Sequence, residues 1–288
     1  LGYRTLQDST SHSNTAVGRQ ALAESTSGAL NTAVGSAAMG VCTTGSYSVA
    51  VGAGALEDVT TGSHNIAIGY NAGASVTTGS ANVHIGSSAG RLSTQSYNVA
   101  IGYASMYSAT SAFYTVAVGQ GSLYSTTTGY SNTAIGYDAM LYNTTGIASV
   151  AVGYQALYSQ TTPNFNVAVG YQAGLYTTTG FDNTYLGTYA GYSGVGAARN
   201  VYIGYTAGYN GTGSNNVAVG NSAGDGITSG SNLTCLGYAA DPSSGTATNE
   251  VTLGNSSVAT LRCQVALTVL SDERDKKNIE TLGNASDF

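Results

Sequence analysis

Asn31-Thr32-Ala33-Val34-Gly35 returns as Asn65-Ile66-Ala67-Ile68-Gly69, as Asn98-Val99-Ala100-Ile101-Gly102 and as Asn132-Thr133-Ala134-Ile135-Gly136. The glycine is the fixed point. It runs from Gly2, Gly18, Gly35 and Gly52 through to Gly237 and Gly254, and of the 15 intervals 12 are 17 residues and 3 are 16. A glycine-rich chain without a repeat would not hold that register over 252 residues, so the period is that of a solenoid.

Within each unit the residue types repeat by position. Val, Ile or Leu precedes the glycine in all 15 complete units, and a β-branched residue stands two places earlier in all 15. Alternation along a strand puts those two on one face and the residue between them, Ala in 10 of 15, on the other. Asn stands four before the glycine in 10 of 15, including Asn14, Asn65, Asn132 and Asn216. At a fixed corner these residues either form a hydrogen-bonded ladder along the solenoid or serve an ordinary turn preference. Beyond the glycine comes a small residue at the third place, followed usually by Leu, Met or Gly. A polar stretch then closes on Thr43-Thr44-Gly45, Thr178-Thr179-Gly180 and their relatives, which suits a return turn.

The unit predicts an all-β, repetitive β-solenoid with one 17-residue coil per repeat, two short strands in each and about 16 coils. Stacked at about 4.8 Å, sixteen coils make a rod roughly 75 Å long. Val17, Val34, Val51 and Ile68 are expected in one inward column, with a Leu or Met from the second strand completing a thin core. The alanine face would then lie outward, apolar and uncharged. Symmetric association of three parallel chains would cover it, so a parallel homotrimer is the expected assembly.

Composition narrows the function. The 288 residues include 40 Gly, 22 Tyr, 2 Pro and no Trp, and 8% are charged. Proline is too scarce for collagen and charge too sparse for disorder. A net charge of −6 argues against a nucleic-acid partner. No apolar run approaches the roughly 18 residues of a membrane span. Cys42, Cys235 and Cys263 are odd in number and lack CxxC spacing, which reads as small buried hydrophobes; no cofactor is expected. The chain begins inside a repeat, as a piece of a longer product would.

The anchor strand, Asn-Thr-Ala-Ile-Gly or Ser-Val-Ala-Val-Gly followed by Tyr-x-Ala, resembles the head repeats of trimeric autotransporter adhesins. It resembles still more closely the repeat arrays of bacteriophage tail fibres, over residues 1–254. A charge break sharpens the resemblance: 13 charged residues up to Leu261 include no lysine, whereas 9 of the 27 residues from Arg262 to Phe288 are charged. There, Leu270-Ser271-Asp272-Glu273-Arg274-Asp275-Lys276-Lys277-Asn278-Ile279 looks like the opening of the intramolecular chaperone auto-processing domain of phage tailspikes and fibres. That family carries Ser-Asp-x-Arg-x-Lys with cleavage after the serine, and Ser271, Asp272, Arg274 and Lys276 match it. The preceding Val251–Ser257 and Thr260–Cys263 are similar to the fibre segment before such domains. The resemblance implies a repeat body (1–254), a junction (255–270) and the start of a truncated chaperone (271–288). It also implies a virion fibre that contacts other tail proteins and a host-surface polysaccharide or receptor.

Candidate sites are few. Lysine activates a hydroxyl when its pKa is lowered, which gives Ser271 and Lys276 the roles of nucleophile and base in a single self-cleavage; the alternative is a solvated charged linker. Tyr3, Tyr70, Tyr103, Tyr137, Tyr154, Tyr171, Tyr205 and Tyr238 each follow an anchor glycine, as a glycan-binding row or a structural ladder. His84 takes the alanine position, which would bring three copies to a trimer axis. Glu57 and Asp58 are adjacent and point to opposite sides of a strand, so the body is not expected to be an enzyme such as a polysaccharide depolymerase. The remaining rivals are the head of a cell-surface trimeric adhesin and an ice-binding solenoid. The latter needs flat Thr-x-Thr ranks, and here the threonines pair as Thr-Thr at turns.

Overall fold

The computed structural model describes residues 2–6, 13–162 and 164–262. The chain divides into two compact units, Leu1–Asn255 and Ser256–Phe288. All fifteen strands belong to the first, and of the second only 256–262 are described. No helix occurs among the described residues.

The fifteen strands form one parallel sheet in sequence order. Those from β1 (Thr15–Val17) to β13 (Val217–Val219) are three residues long, and β14 (Ser231–Leu236) and β15 (Thr248–Leu253) are six. Register follows the repeat: Thr15 pairs with Thr32, Ala16 with Ala33 and Val17 with Val34, and so on to the last pair. Each repeat is therefore one coil of a parallel β-solenoid. The expected second strand is absent: in the coils of β1 to β13 the segment after each glycine is a chain of turns, so each has one strand.

The expected direction of the strand faces is reversed. Val17, Val34, Val51 and Ile68 do stack in one column, but it faces outward, with Val17 47% and Ile68 41% exposed. The inward column is Ala33, Ala50, Ala67, Ala100 and their successors, all at 0% exposure. The reason is width. A second inward column of Leu22, Met39, Leu56, Met106, Leu123, Met140 and Leu157 fills the coil, joined by a further alanine column at Ala21, Ala38 and Ala55. At close-packed density that leaves room opposite for a methyl group and little more.

Two backbone devices hold the coils this close. At Gly119 φ is +129, and a Cβ there would collide with the carbonyl oxygen of Gly136, the anchor of the next coil; the same holds along the whole column. The turns also pass through left-handed residues, for example Gln20 (φ 59), Leu22 (φ 47) and Tyr47 (φ 59). Each such L residue costs about 1–2 kcal/mol, offset by pairing. Gln20 N donates to Tyr3 O (2.9 Å), Leu22 N to Ala38 O (3.1 Å) and Tyr47 N to Ala29 O (3.1 Å), all between coils.

The asparagine corner is a ladder. Asn132 Nδ2 donates to Gly146 O (2.7 Å), and Asn132 Oδ1 accepts from Ser149 N (3.0 Å) in the next coil. Asn31, Asn65, Asn166, Asn183 and Asn216 repeat both bonds. These side chains are buried, so each closes two backbone groups that have no access to water.

Candidate interaction surfaces

The solenoid offers no catalytic cleft built from acids, bases or metal ligands: no group of three or more His, Cys, Asp or Glu lies together among the described residues. Its chemistry is spread along its outer columns.

The first surface is the outer face of the sheet. Two parallel columns of Thr, Val, Ile and Leu run along it, and neither carries a charged residue between β1 and β15. Side chains at Val17, Val51, Ile66, Ile68, Ile135 and Leu186 are exposed by more than a third. A flat, regular apolar strip of this length far exceeds the isolated apolar patches of an ordinary monomer surface.

The second surface is aromatic. Tyr137, Tyr154 and Tyr171, each next to its anchor glycine, stack with centroids 5.3 and 5.0 Å apart. Sequence reading found this column and missed three others: Tyr47–His64 with Tyr97–Tyr114, Phe113–Tyr130, and Tyr107–Tyr124 with Tyr192–Tyr209. Their signal was the repeat itself, since most of these pairs are 17 residues apart. Arg91 extends the Tyr107 column, its guanidinium donating to Tyr107 Oη at 2.6 Å. The threonine turns form a fifth rank, in which Thr43, Thr127 and Thr144 Oγ1 donate to the carbonyls of Thr60, Thr144 and Thr161 one coil on. Those hydroxyl protons are committed to the ladder.

His84 lies inside the coil, not at an outer axis. It is fully buried, neither ring nitrogen has a hydrogen-bond partner, and burial pulls its pKa down to about 4. The large ring fits because Gly73 and Gly90 replace the usual Leu or Met beside it; a Cβ on either would collide with the imidazole. Tyr185 and Tyr202 are accommodated in the same way, by Gly174 and Gly191 and by Gly208. Total volume is conserved while its distribution shifts. This compensation was readable as Ala-Gly in place of Ala-Leu, and it went unread. Cys42 and Cys235 are buried and free, and burial pushes both thiols up to about 11, so they pack as hydrophobes.

Carboxylates are sparse. Asp138 is raised by burial alone. Asp225, half-buried, is raised first by burial and then by the charge of Asp241, one coil away. Glu250 is lowered by hydrogen bonds from Ser243, whose N and Oγ donate at 2.8 and 2.7 Å. Ser271, Asp272, Arg274, Lys276 and Cys263 lie outside the described residues. No protein-family model matches the chain, and no curated protein matches it.

Proposed function

We propose that this chain is the shaft of an adhesive fibre, a parallel homotrimer of phage tail-fibre type that projects from the virion and contacts glycans on a host surface. The observation that carries the reading is the outer sheet face, two uncharged columns of Val, Ile, Leu and Thr repeated from β1 to β15. An apolar strip along the full length of a solenoid is most simply covered by identical strips, which places the trimer contact on the Val/Ile face and moves it from the alanine face. The exposed tyrosine columns then face solvent. Stacked rings with free hydroxyls suit sugar rings, whose apolar faces lie on aromatic planes while their hydroxyls hydrogen-bond. The Ser-Asp-x-Arg-x-Lys segment at 271–276 supports a processed chaperone, with Ser271 attacking its own peptide link and Lys276 assisting.

Fluorescently labelled protein, incubated with a panel of bacterial strains, tests adhesion. Binding to a subset of strains is expected, lost after periodate cleaves the vicinal diols of surface glycans. Binding to none of them, or binding indifferent to periodate, contradicts the glycan reading. Mass spectrometry of the full-length gene product tests processing: a fragment ending at Ser271 is expected, absent in Ser271→Ala.

A further inference from the structure

The aromatic columns are interrupted together at one place. In the column next to the anchor glycines, Gln120 stands between Tyr103 and Tyr137. In the column five residues beyond the glycines, Leu141 stands between Tyr124 and Tyr158. Between them is Gly121, at a left-handed position (φ +66) where a Cβ would collide with the carboxylate of Asp138. Loss of two rings and one side chain in the same neighbourhood opens a notch of about 320 Å³ in an otherwise continuous ladder.

The walls of the notch carry a particular chemistry. Tyr103, Tyr124 and Tyr142 supply rings, and Gln120, Ser125 and Asp138 supply polar atoms. Tyr124 stacks on Tyr107 with one face (5.2 Å, 10° between planes), which fixes its orientation. Leu141, on the other side, is too small to continue the stack. Asp138 is half-buried, and no hydrogen bond lowers its carboxyl. A partly desolvated carboxylate without donors favours a ligand that brings hydroxyls.

We propose that this notch is a binding site for one neutral hexopyranose ring, stacked on Tyr124 and hydrogen-bonded through its hydroxyls to Asp138 and Gln120. The volume is at the small end of ligand sites and suits a single ring, not an extended chain. The carboxylate discriminates against acidic sugars, because a second anion beside Asp138 meets like-charge repulsion. A shallow site of this kind binds in the millimolar range, and repetition across the subunits of a fibre would raise the avidity. The assignment rests on the adhesive reading only for its biological use; the site itself stands on the local geometry.

The test is a titration of the protein with methyl α-D-glucopyranoside, methyl α-D-mannopyranoside, methyl β-D-galactopyranoside and N-acetylneuraminic acid, followed by the tyrosine ring resonances. At least one neutral hexoside should shift a small set of tyrosines saturably, with Kd about 1–10 mM, and N-acetylneuraminic acid should not. Gln120→Tyr, which restores the ladder, should abolish the shifts and leave the melting temperature unchanged; Asp138→Asn should weaken binding about tenfold. No saturable shift at 100 mM of any neutral hexoside, or equal binding by Gln120→Tyr, overturns the proposal. Cell binding by the same proteins separates the two readings. Cells bound without hexoside binding would sink the notch and leave adhesion standing. Hexoside binding without cell binding would do the reverse.

Discussion

In β7 (Val116–Val118) the inner residue Ala117 is fully buried, while the outer Val116 and Val118 are partly exposed. The smaller side chain is inside and the larger ones outside, along the whole sheet. Ordinary hydrophobic reasoning places the larger residues inside, because burial is worth roughly 25 cal/mol per Å² of apolar surface. Here the coil sets a hard limit on width before that gain is reached. The inner face is therefore chosen by volume and the outer face by β propensity and by what covers it. The coils around His84 and Tyr185 make the same point from the other side. A large ring enters the alanine column only where the facing Leu or Met has become Gly.

The largest effect is expected where coil meets coil. Gly119→Val places a branched side chain at φ +129 against the carbonyl of Gly136. The loss should be about 4 kcal/mol or more, since both strain and collision contribute. Thermal unfolding should show a melting temperature lowered by many degrees or no folded protein. A mild effect would mean that the coils are not in van der Waals contact along the glycine column.

Next is the volume exchange itself. Gly90→Leu alone drives a side chain into His84 and should cost about 3 kcal/mol. Gly73→Leu, Gly90→Leu and His84→Ala combined rebuild an ordinary coil and should recover most of the loss, a strong coupling in a mutant cycle measured by chemical denaturation. Additive losses would break the exchange argument.

The same histidine sharpens the contrast by pH. Its folded pKa is lowered from 6.5 to about 4, so the unfolded chain takes up the proton first. The stability linked to this group is present above 6.5 and is lost as pH falls towards 4. About 2.5 units correspond to about 3 kcal/mol at most. Denaturation midpoints at pH 7 and pH 4 should differ more in the native protein than in His84→Leu. An equal acid sensitivity would place the titration elsewhere.

Asn132→Ala tests the corner, with a smaller loss. It strips Gly146 O and Ser149 N of their partners inside the coil, for about 2 kcal/mol by denaturation. No measurable loss would mean that water reaches the ladder.

The coil, its period and its register were legible because one glycine recurs with nothing out of step. The asparagine ladder was legible as position, though not as a choice between bond and turn. The face assignment was not legible. Val17 and Ala16 alternate in either orientation, and only the width set by Leu22 and Met39 decides which points inward. The second strand was expected because two apolar segments flank the glycine. Left-handed residues such as Gln20 and Leu22 instead fold the second into turns that pair between coils. The notch at Gln120 and Leu141 was visible only as two missing tyrosines. It acquires meaning once Gly121 and Asp138 stand beside them.

The central claim is that the Val/Ile face, and not the alanine column, joins the subunits. Light scattering of the folded protein measures it most directly. The account predicts three times the mass of the 28.9 kDa chain. It also predicts that Val118→Lys with Ile135→Lys, two charges on the outer strip, gives a folded single chain or a loosely associating one. A native protein already monomeric, or a double variant still trimeric, would contradict it.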